Sequence, residues 1–125
     1  MATTIRVWEG SITPAYSATT WVEFGGEKVG GMEFREDGWD VQRTFYSTAD
    51  GRIVVHEVEF GTVYTYGNIL VYKNLDEACR RLVINKHYID PYRKNYWSLH
   101  IGDPDAPTIT LEQLMREREF ENTLR

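Results

Sequence analysis

The chain has 125 residues, 42% hydrophobic and 14% aromatic, which is enough apolar material for one core and too little for two, so a single domain over residues 1–125 is expected. Cys79 is the only cysteine; this excludes an intramolecular disulfide, a cysteine-type zinc site and a C-x-x-C redox pair, and it suits a reducing cytoplasm. The net charge of −5 weighs against direct DNA binding, and the sequence holds neither a membrane-length apolar run nor an apolar stretch behind a basic start in its first twenty residues, so neither a membrane span nor a signal peptide is expected.

From Thr4 to Lys73 the chain is rich in Val, Ile, Thr, Tyr, Phe and Trp and is cut by Gly25-Gly26, Gly30-Gly31, Asp37-Gly38 and Asp50-Gly51. Branched and aromatic side chains fit a pleated, half-buried surface, and these glycine pairs and Asp-Gly steps read as strand punctuation. The spacing predicts strands over residues 5–9, 20–24 and 28–35, with Thr13-Pro14 breaking the first connection because proline cannot donate to a ladder. Around Ala49-Asp50-Gly51, residues 40–47 should pair with 52–60, since glycine accepts the positive φ of a tight turn. A run over residues 62–72 extends the meander, with Tyr64, Tyr66, Leu70 and Tyr72 on one face.

The period then changes to 3.6. Asn74 with Glu77 three residues later forms a capping signature, and Leu75, Ala78, Cys79 and Leu82 make an apolar stripe. Thr110 with Gln113 repeats the signature downstream of Pro107, which predicts a second helix from Leu111 to about Asn122. Between them Asp90-Pro91, Gly102-Asp103-Pro104 and Ala106-Pro107 resist a long helix, leaving room for a short element over residues 95–101. The fold class expected is α+β: a mainly antiparallel sheet of five or six strands followed by two short helices that pack on it.

Motifs for chemistry are missing. His56, His87 and His100 fall at no metal-ligand spacing, and there is no nucleophile elbow, phosphate loop or dinucleotide fingerprint. His56 shares a strand face with Val54, Val58 and Phe60, so it reads as a semi-buried, satisfied histidine; His87 and His100 read as surface residues, and Cys79 as an inert small hydrophobe. Asp40, Glu57 and Glu59 read as charges that keep a sheet edge soluble. The chain is therefore expected to be no enzyme, to use no cofactor and to hold no metal.

Basic residues stand where the pattern asks for apolar ones. One strand face reads Trp39, Val41, Arg43 and Phe45, and the last helix places Arg118 where Leu111, Leu114 and Met115 call for an apolar side chain. A buried unpaired charge is costly, so each arginine must snorkel, pair with a carboxylate of its own chain, or meet an outside anion or another subunit. The stretch Tyr88, Tyr92, Arg93, Lys94, Tyr96 and Trp97 mixes ring faces with cations, a combination suited to nucleotides; the alternative is that Trp97 and two of the tyrosines pin the loop to the core. Residues 73–100 carry Lys73, Arg80, Arg81, Lys86, Arg93 and Lys94 against Asp76, Glu77 and Asp90, a net +3 that leaves −8 for the rest.

The segment Phe45-Tyr46-Ser47-Thr48, Asp50-Gly51-Arg52, Val54-Val55-His56 and Tyr72-Lys73-Asn74-Leu75-Asp76-Glu77-Ala78 resembles the small prokaryotic and phage domains called EXLDI-type, in strand, tight turn, second strand and acidic-capped helix. The C-terminal motif that names that family is absent. The overall plan also looks like that of phage anti-Thoeris sponge proteins, and that resemblance implies a multimeric trap that holds cyclic ADP-ribose-type signals at subunit interfaces without cleaving them. The reading that follows is a phage-encoded anti-defence protein in the host cytoplasm, a homo-oligomer binding a phosphate-bearing nucleotide through Arg43, Tyr92, Arg93, Trp97, Arg116 and Arg118. Two alternatives stand beside it: an acidic protein–protein inhibitor of a nucleic-acid-binding complex, of the anti-CRISPR kind, and a hydrolase of the same messenger.

Overall fold

The β-rich first part of the chain pairs strand to strand in sequence order, in a computed structural model that describes residues 3–13, 17–95 and 102–123. The elements are β1 (Thr3–Ile12), β2 (Ser17–Glu36), β3 (Trp39–Thr48), β4 (Ile53–Phe60), β5 (Thr65–Tyr72), α1 (Leu75–Leu82), a 3₁₀ turn (Lys86–Tyr88), β6 (Thr108–Thr110) and α2 (Leu111–Thr123). The sheet order is β1-β5-β4-β3-β2-β6, with β1 also paired to β2, so five antiparallel strands close into a ring. β6 joins β2 in parallel at Trp21–Glu23. The architecture is α+β, a six-stranded, mainly antiparallel sheet with two short helices.

Two strands expected at 20–24 and 28–35 are one. β2 runs through both glycine pairs: its first half pairs with β1 as far as Thr3↔Gly26, and from Gly26↔Thr48 onward it pairs with β3, with a register shift between Lys28 and Gly30. A Cβ on Gly26 would lie 2.2 Å from the Ser47 carbonyl oxygen, so glycine here permits the close approach at which the strand changes partner. Glycine inside a strand marks a bend as readily as an end. The ring is shut at Gly10↔Gly67, where a Cβ on Gly67 would sit 2.4 Å from the Trp8 indole.

The hairpin around Asp50-Gly51 forms as expected, with Asp40↔Phe60 through Ser47↔Ile53 in register. Gly51 takes a φ of 89°. Both helix caps also form. The Glu77 amide donates to Asn74 Oδ1 at 2.9 Å, although the Glu77 carboxylate reaches the amide of Lys73 rather than that of Asn74. Thr110 and Gln113 exchange bonds of 2.8 and 3.1 Å in a reciprocal box.

Alternation along the strands sends side chains to two faces. On one, Val7, Val22, Phe24, Tyr46, Val54 and Ile69 meet Leu111 and Leu114 of α2. On the other, Phe45, Ile53 and Val55 pack with Ala78 of α1 and Ile89. β4 is therefore covered on both sides, which its unbroken run Ile53-Val54-Val55-His56 reflects. A third cluster joins Trp8, Trp21 and Val58, and it fastens the chain after residue 101 to β2: the Trp21 indole donates to the Asp103 carbonyl at 2.6 Å, and the Trp21 amide to the Pro107 carbonyl at 2.8 Å. Among the described residues no helix is long and apolar enough to cross a membrane.

Candidate functional site

The chain leaves α1 through Val83 in the left-handed region, makes a 3₁₀ turn capped by Asn85, and comes to lie along the second half of β2. There β1 has already departed, and Asp90 takes the open edge by exchanging backbone bonds of 2.9 and 2.8 Å with Gly31. The carboxylate of Asp90 then accepts the amide of Tyr92 at 2.9 Å, a turn that Pro91 favours. Two glycines make the approach possible: a Cβ on Gly30 would lie 2.6 Å from the Asp90 carbonyl oxygen, and one on Gly31 2.8 Å from Asn95 Nδ2. Between this segment and the strand lies a cleft of about 290 Å³, lined by Met32, Glu33, Phe34, Tyr88, Asp90 and Arg93.

Arg93 is fixed at the cleft by a buried amide. Its Nε donates to Asn95 Oδ1 at 2.9 Å, while Asn95 Nδ2 donates to the Arg43 carbonyl at 2.9 Å and to the Thr44 hydroxyl at 2.8 Å. Arg93 Nη2 forms an ion pair with Glu33, which also accepts a 2.9 Å bond from Gln42 Nε2. Nη1 makes no hydrogen bond to a described residue, so the Nε–Nη2 edge of the guanidinium is held while Nη1 remains available as a donor. Tyr88, which shares the cleft lining with Arg93, is 72% exposed, and Tyr92, the residue before Arg93 in the chain, is 89% exposed. The Lys28 ammonium donates to the Arg93 carbonyl, adding positive charge along the same strand.

Of the six residues nominated from sequence, the five that are described do not gather in one place. Arg93 lines the cleft; Tyr92 precedes it in the chain, exposed and not part of the cleft lining. Arg43, one strand over, is joined to Arg93 only through Asn95; its Nε donates to Glu57 Oε2 at 2.7 Å, both side chains being 13% exposed, and its guanidinium lies 4.7 Å from the Phe34 ring. Arg118 is turned to Glu9 of β1 at 2.9 Å. These two arginines thus take the internal ion pair that the sequence reading set beside an outside anion. Arg116 is exposed on α2 with no ion pair to a described residue. Trp97, with Tyr96, His100 and most of the short element expected over 95–101, lies outside the described residues.

His56 differs from the semi-buried residue expected. It is wholly buried, with Nε2 2.7 Å from the Trp8 carbonyl, the ring edge-on to the Trp8 indole, and no partner for Nδ1 among the described residues. A donor is needed toward the carbonyl, so Nε2 carries the proton and the ring is neutral; burial holds its pKa down to about 4 against a weaker upward pull from the Trp8 carbonyl. It faces no cleft and cannot act as a base on a ligand. Glu57 and Glu59, expected on a sheet edge, sit on the central strand β4 because a closed ring leaves that strand no edge. Burial pushes the Glu59 carboxyl up, and the charges of Glu57 and Glu36 push it further. The Cys79 thiol is raised by burial, then by Asp76, as suits an inert side chain.

Sequence reasoning missed Asn95, Glu33 and Phe34. No periodicity marks Asn95, whose role depends on Gly31 being bare; the one available signal was the doubled glycine, which also fits close backbone approach. No family model, no curated protein and no solved structure matches the chain.

Proposed function

We propose that this protein binds without catalysis, and that its ligand is a small phosphate-bearing nucleotide taken up at the cleft between β2 and residues 86–95. The observation that carries the reading is the posture of Arg93: Asn95 and Glu33 hold one edge of its guanidinium, and Nη1 is left without a hydrogen bond to a described residue in a cleft that the exposed Tyr88 also lines. A pre-positioned guanidinium loses little freedom on meeting a phosphate and can bind it with charge-assisted, forked geometry. Tyr88 and Tyr92 offer faces for a base. The cleft volume of about 290 Å³ is near the lower end, roughly 300 Å³, of small-molecule sites, which suits one nucleotide unit engaged at its base and one phosphate while the remainder stays open to solvent.

In this reading Arg43 and Arg118 serve their own carboxylates and are not ligands. Arg116, exposed on α2 and without an ion pair to a described residue, is the cation that a second copy would bring to the nucleotide in a homo-oligomeric, messenger-sequestering trap. Calorimetric titration with cyclic ADP-ribose isomers and with cyclic di- and trinucleotides tests it. One of these should bind saturably, be recovered chemically intact after heat denaturation of the complex, and lose about tenfold or more in affinity with Arg93→Gln. Absence of heat with every ligand removes the nucleotide, and recovery of a cleaved ligand makes the protein a hydrolase instead.

A further inference from the structure

The turn end of the β2–β3 hairpin carries a second surface of different chemistry. Asp37 and Gly38 both take positive φ, 50° and 84°, the mirror-image two-residue turn whose twist matches that of the flanking strands. Trp39 follows directly. Its ring lies over Gly61, where a Cβ would come within 2.6 Å of the indole carbons. Residues 61–64 close the neighbouring turn, the Gly61 amide donating to the Tyr64 carbonyl at 2.8 Å. Tyr66 lies beside Trp39 with centroids 5.7 Å apart, and Tyr64 stacks on Tyr66 at 6.0 Å with the planes 12° apart. The result is a ridge of three rings with Val63 56% and Tyr64 48% exposed. Between Trp39 and Tyr64 opens a cleft of about 400 Å³, completed by Asp37, Thr62 and Val63.

Carboxylates surround these rings. Asp37 lines the cleft, Glu36 is the cross-strand neighbour of Trp39, and Glu59 is that of Tyr66. Two arginines of the β2–β3 hairpin are ion-paired to other carboxylates, Arg35 with Asp40 at 4.0 Å and Arg43 with Glu57 at 2.7 Å. Burial raises the Glu59 carboxyl, Glu57 and then Glu36 raise it further, and Arg43 offsets them only in part. Two other aromatic faces are covered by the chain's own cations: Arg6 lies 4.6 Å from the Trp21 ring and Arg43 4.7 Å from that of Phe34. Among the described residues no cation lies over Trp39, Tyr64 or Tyr66.

These observations select the occupant. A purely apolar partner would cover the rings but strip water from Asp37, Glu36 and Glu59 without replacing it, and an anionic partner would add repulsion. A cation satisfies both parts, through the negative face of each ring and through the carboxylates. The geometry points to this surface as the docking site for a cationic segment of a partner protein, with a lysine or arginine side chain entering between Trp39 and Tyr64 and Asp37, Glu36 and Glu59 as its counter-ions. The inference goes beyond the nucleotide reading, and the two clefts share no lining residue.

Calorimetry on the full chain tests it with two capped octapeptides, one alternating arginine and alanine and one with glutamate in place of arginine. The arginine peptide should give saturable heat and the glutamate peptide none. Tyr64→Ala should weaken binding about fivefold or more. Asp37→Asn, which keeps a residue tolerant of positive φ, should weaken it at about 50 mM salt and by less at about 300 mM, where the lost attraction is already screened; circular dichroism verifies that both variants are folded. Silence with the arginine peptide, equal heat with both peptides, or full affinity retained in both variants overturns the proposal. So does concentration-dependent dimerisation that Tyr64→Ala abolishes, since a second copy would then own the surface.

Discussion

Replacing His56 by glutamine separates one buried proton site from every other group that titrates on acidification. In the folded chain the imidazole is sealed within β4, and its one hydrogen-bond partner among the described residues, the Trp8 carbonyl at 2.7 Å, engages Nε2 alone. A second proton would place a cation in the core with Nδ1–H unanswered. The folded pKa is therefore depressed from 6.5 to about 4, whereas the unfolded chain takes up the proton near the ordinary value. For a base depressed in this way the stabilisation is complete above pH 6.5 and is lost as pH falls toward 4; the interval amounts to roughly 3 kcal/mol. Asp50, held down to about 2 by the Thr48 hydroxyl and then Arg52, acts only below about pH 4, and its exposure keeps its contribution small. Urea denaturation of wild type and His56→Gln at steps between pH 7 and pH 4 isolates the effect, because the glutamine amide can still donate to the Trp8 carbonyl and does not titrate. Wild type should lose roughly 3 kcal/mol more than the variant over that range. Parallel decline of the two proteins would refute a neutral, enclosed His56.

Arg43→Met strands the Glu57 carboxylate in a site where its side chain is 13% exposed, and chemical denaturation should show a loss of about 3 kcal/mol that Arg43→Met/Glu57→Leu largely restores; unchanged stability in the single variant would mean that the pair is solvated. Val83 ends α1 at φ 55° and ψ 51° while 89% exposed, so Val83→Gly should relieve a left-handed β-branched residue and stabilise by about 1 kcal/mol, read as a thermal midpoint raised by a few degrees; a lowered midpoint would contradict it. Gly67→Ala drives a Cβ toward the Trp8 ring at 2.4 Å and should cost about 2 kcal/mol, whereas a neutral result in the same melt would mean that ring closure is loose.

Local chemistry carried most of what sequence could reveal. Asn74, Thr110 and Asp50-Gly51 each act on residues within four positions, and the caps and the hairpin form where the residues put them. Closure of the sheet was invisible because it depends on Gly10 meeting Gly67 and on Trp8 needing the space a side chain would fill. The same blindness turned Gly25-Gly26 and Gly30-Gly31 into strand ends: a glycine that permits a close approach and one that ends a strand look alike until the partner is known. The arginines show the matching limit in electrostatics. Arg43 and Arg118 were marked correctly as charges needing partners, but Glu57 and Glu9 become partners only through strand register and helix docking, 14 and 109 residues away in sequence. Asn95, which positions Arg93, belongs to no pattern at all. β6 is too short to announce itself, with three residues paired to β2 beside the bond from the Trp21 indole to the Asp103 carbonyl.

Amide chemical shifts followed by NMR during titration with the tightest of the cyclic nucleotides examine the binding reading most directly. If Arg93 is a guanidinium held ready for phosphate, the largest changes cluster at Gly31, Met32, Glu33, Phe34, Tyr88 and Arg93, and they vanish in Arg93→Gln. Changes centred on Trp39, Val63 and Tyr64, or a spectrum that does not move, would contradict it.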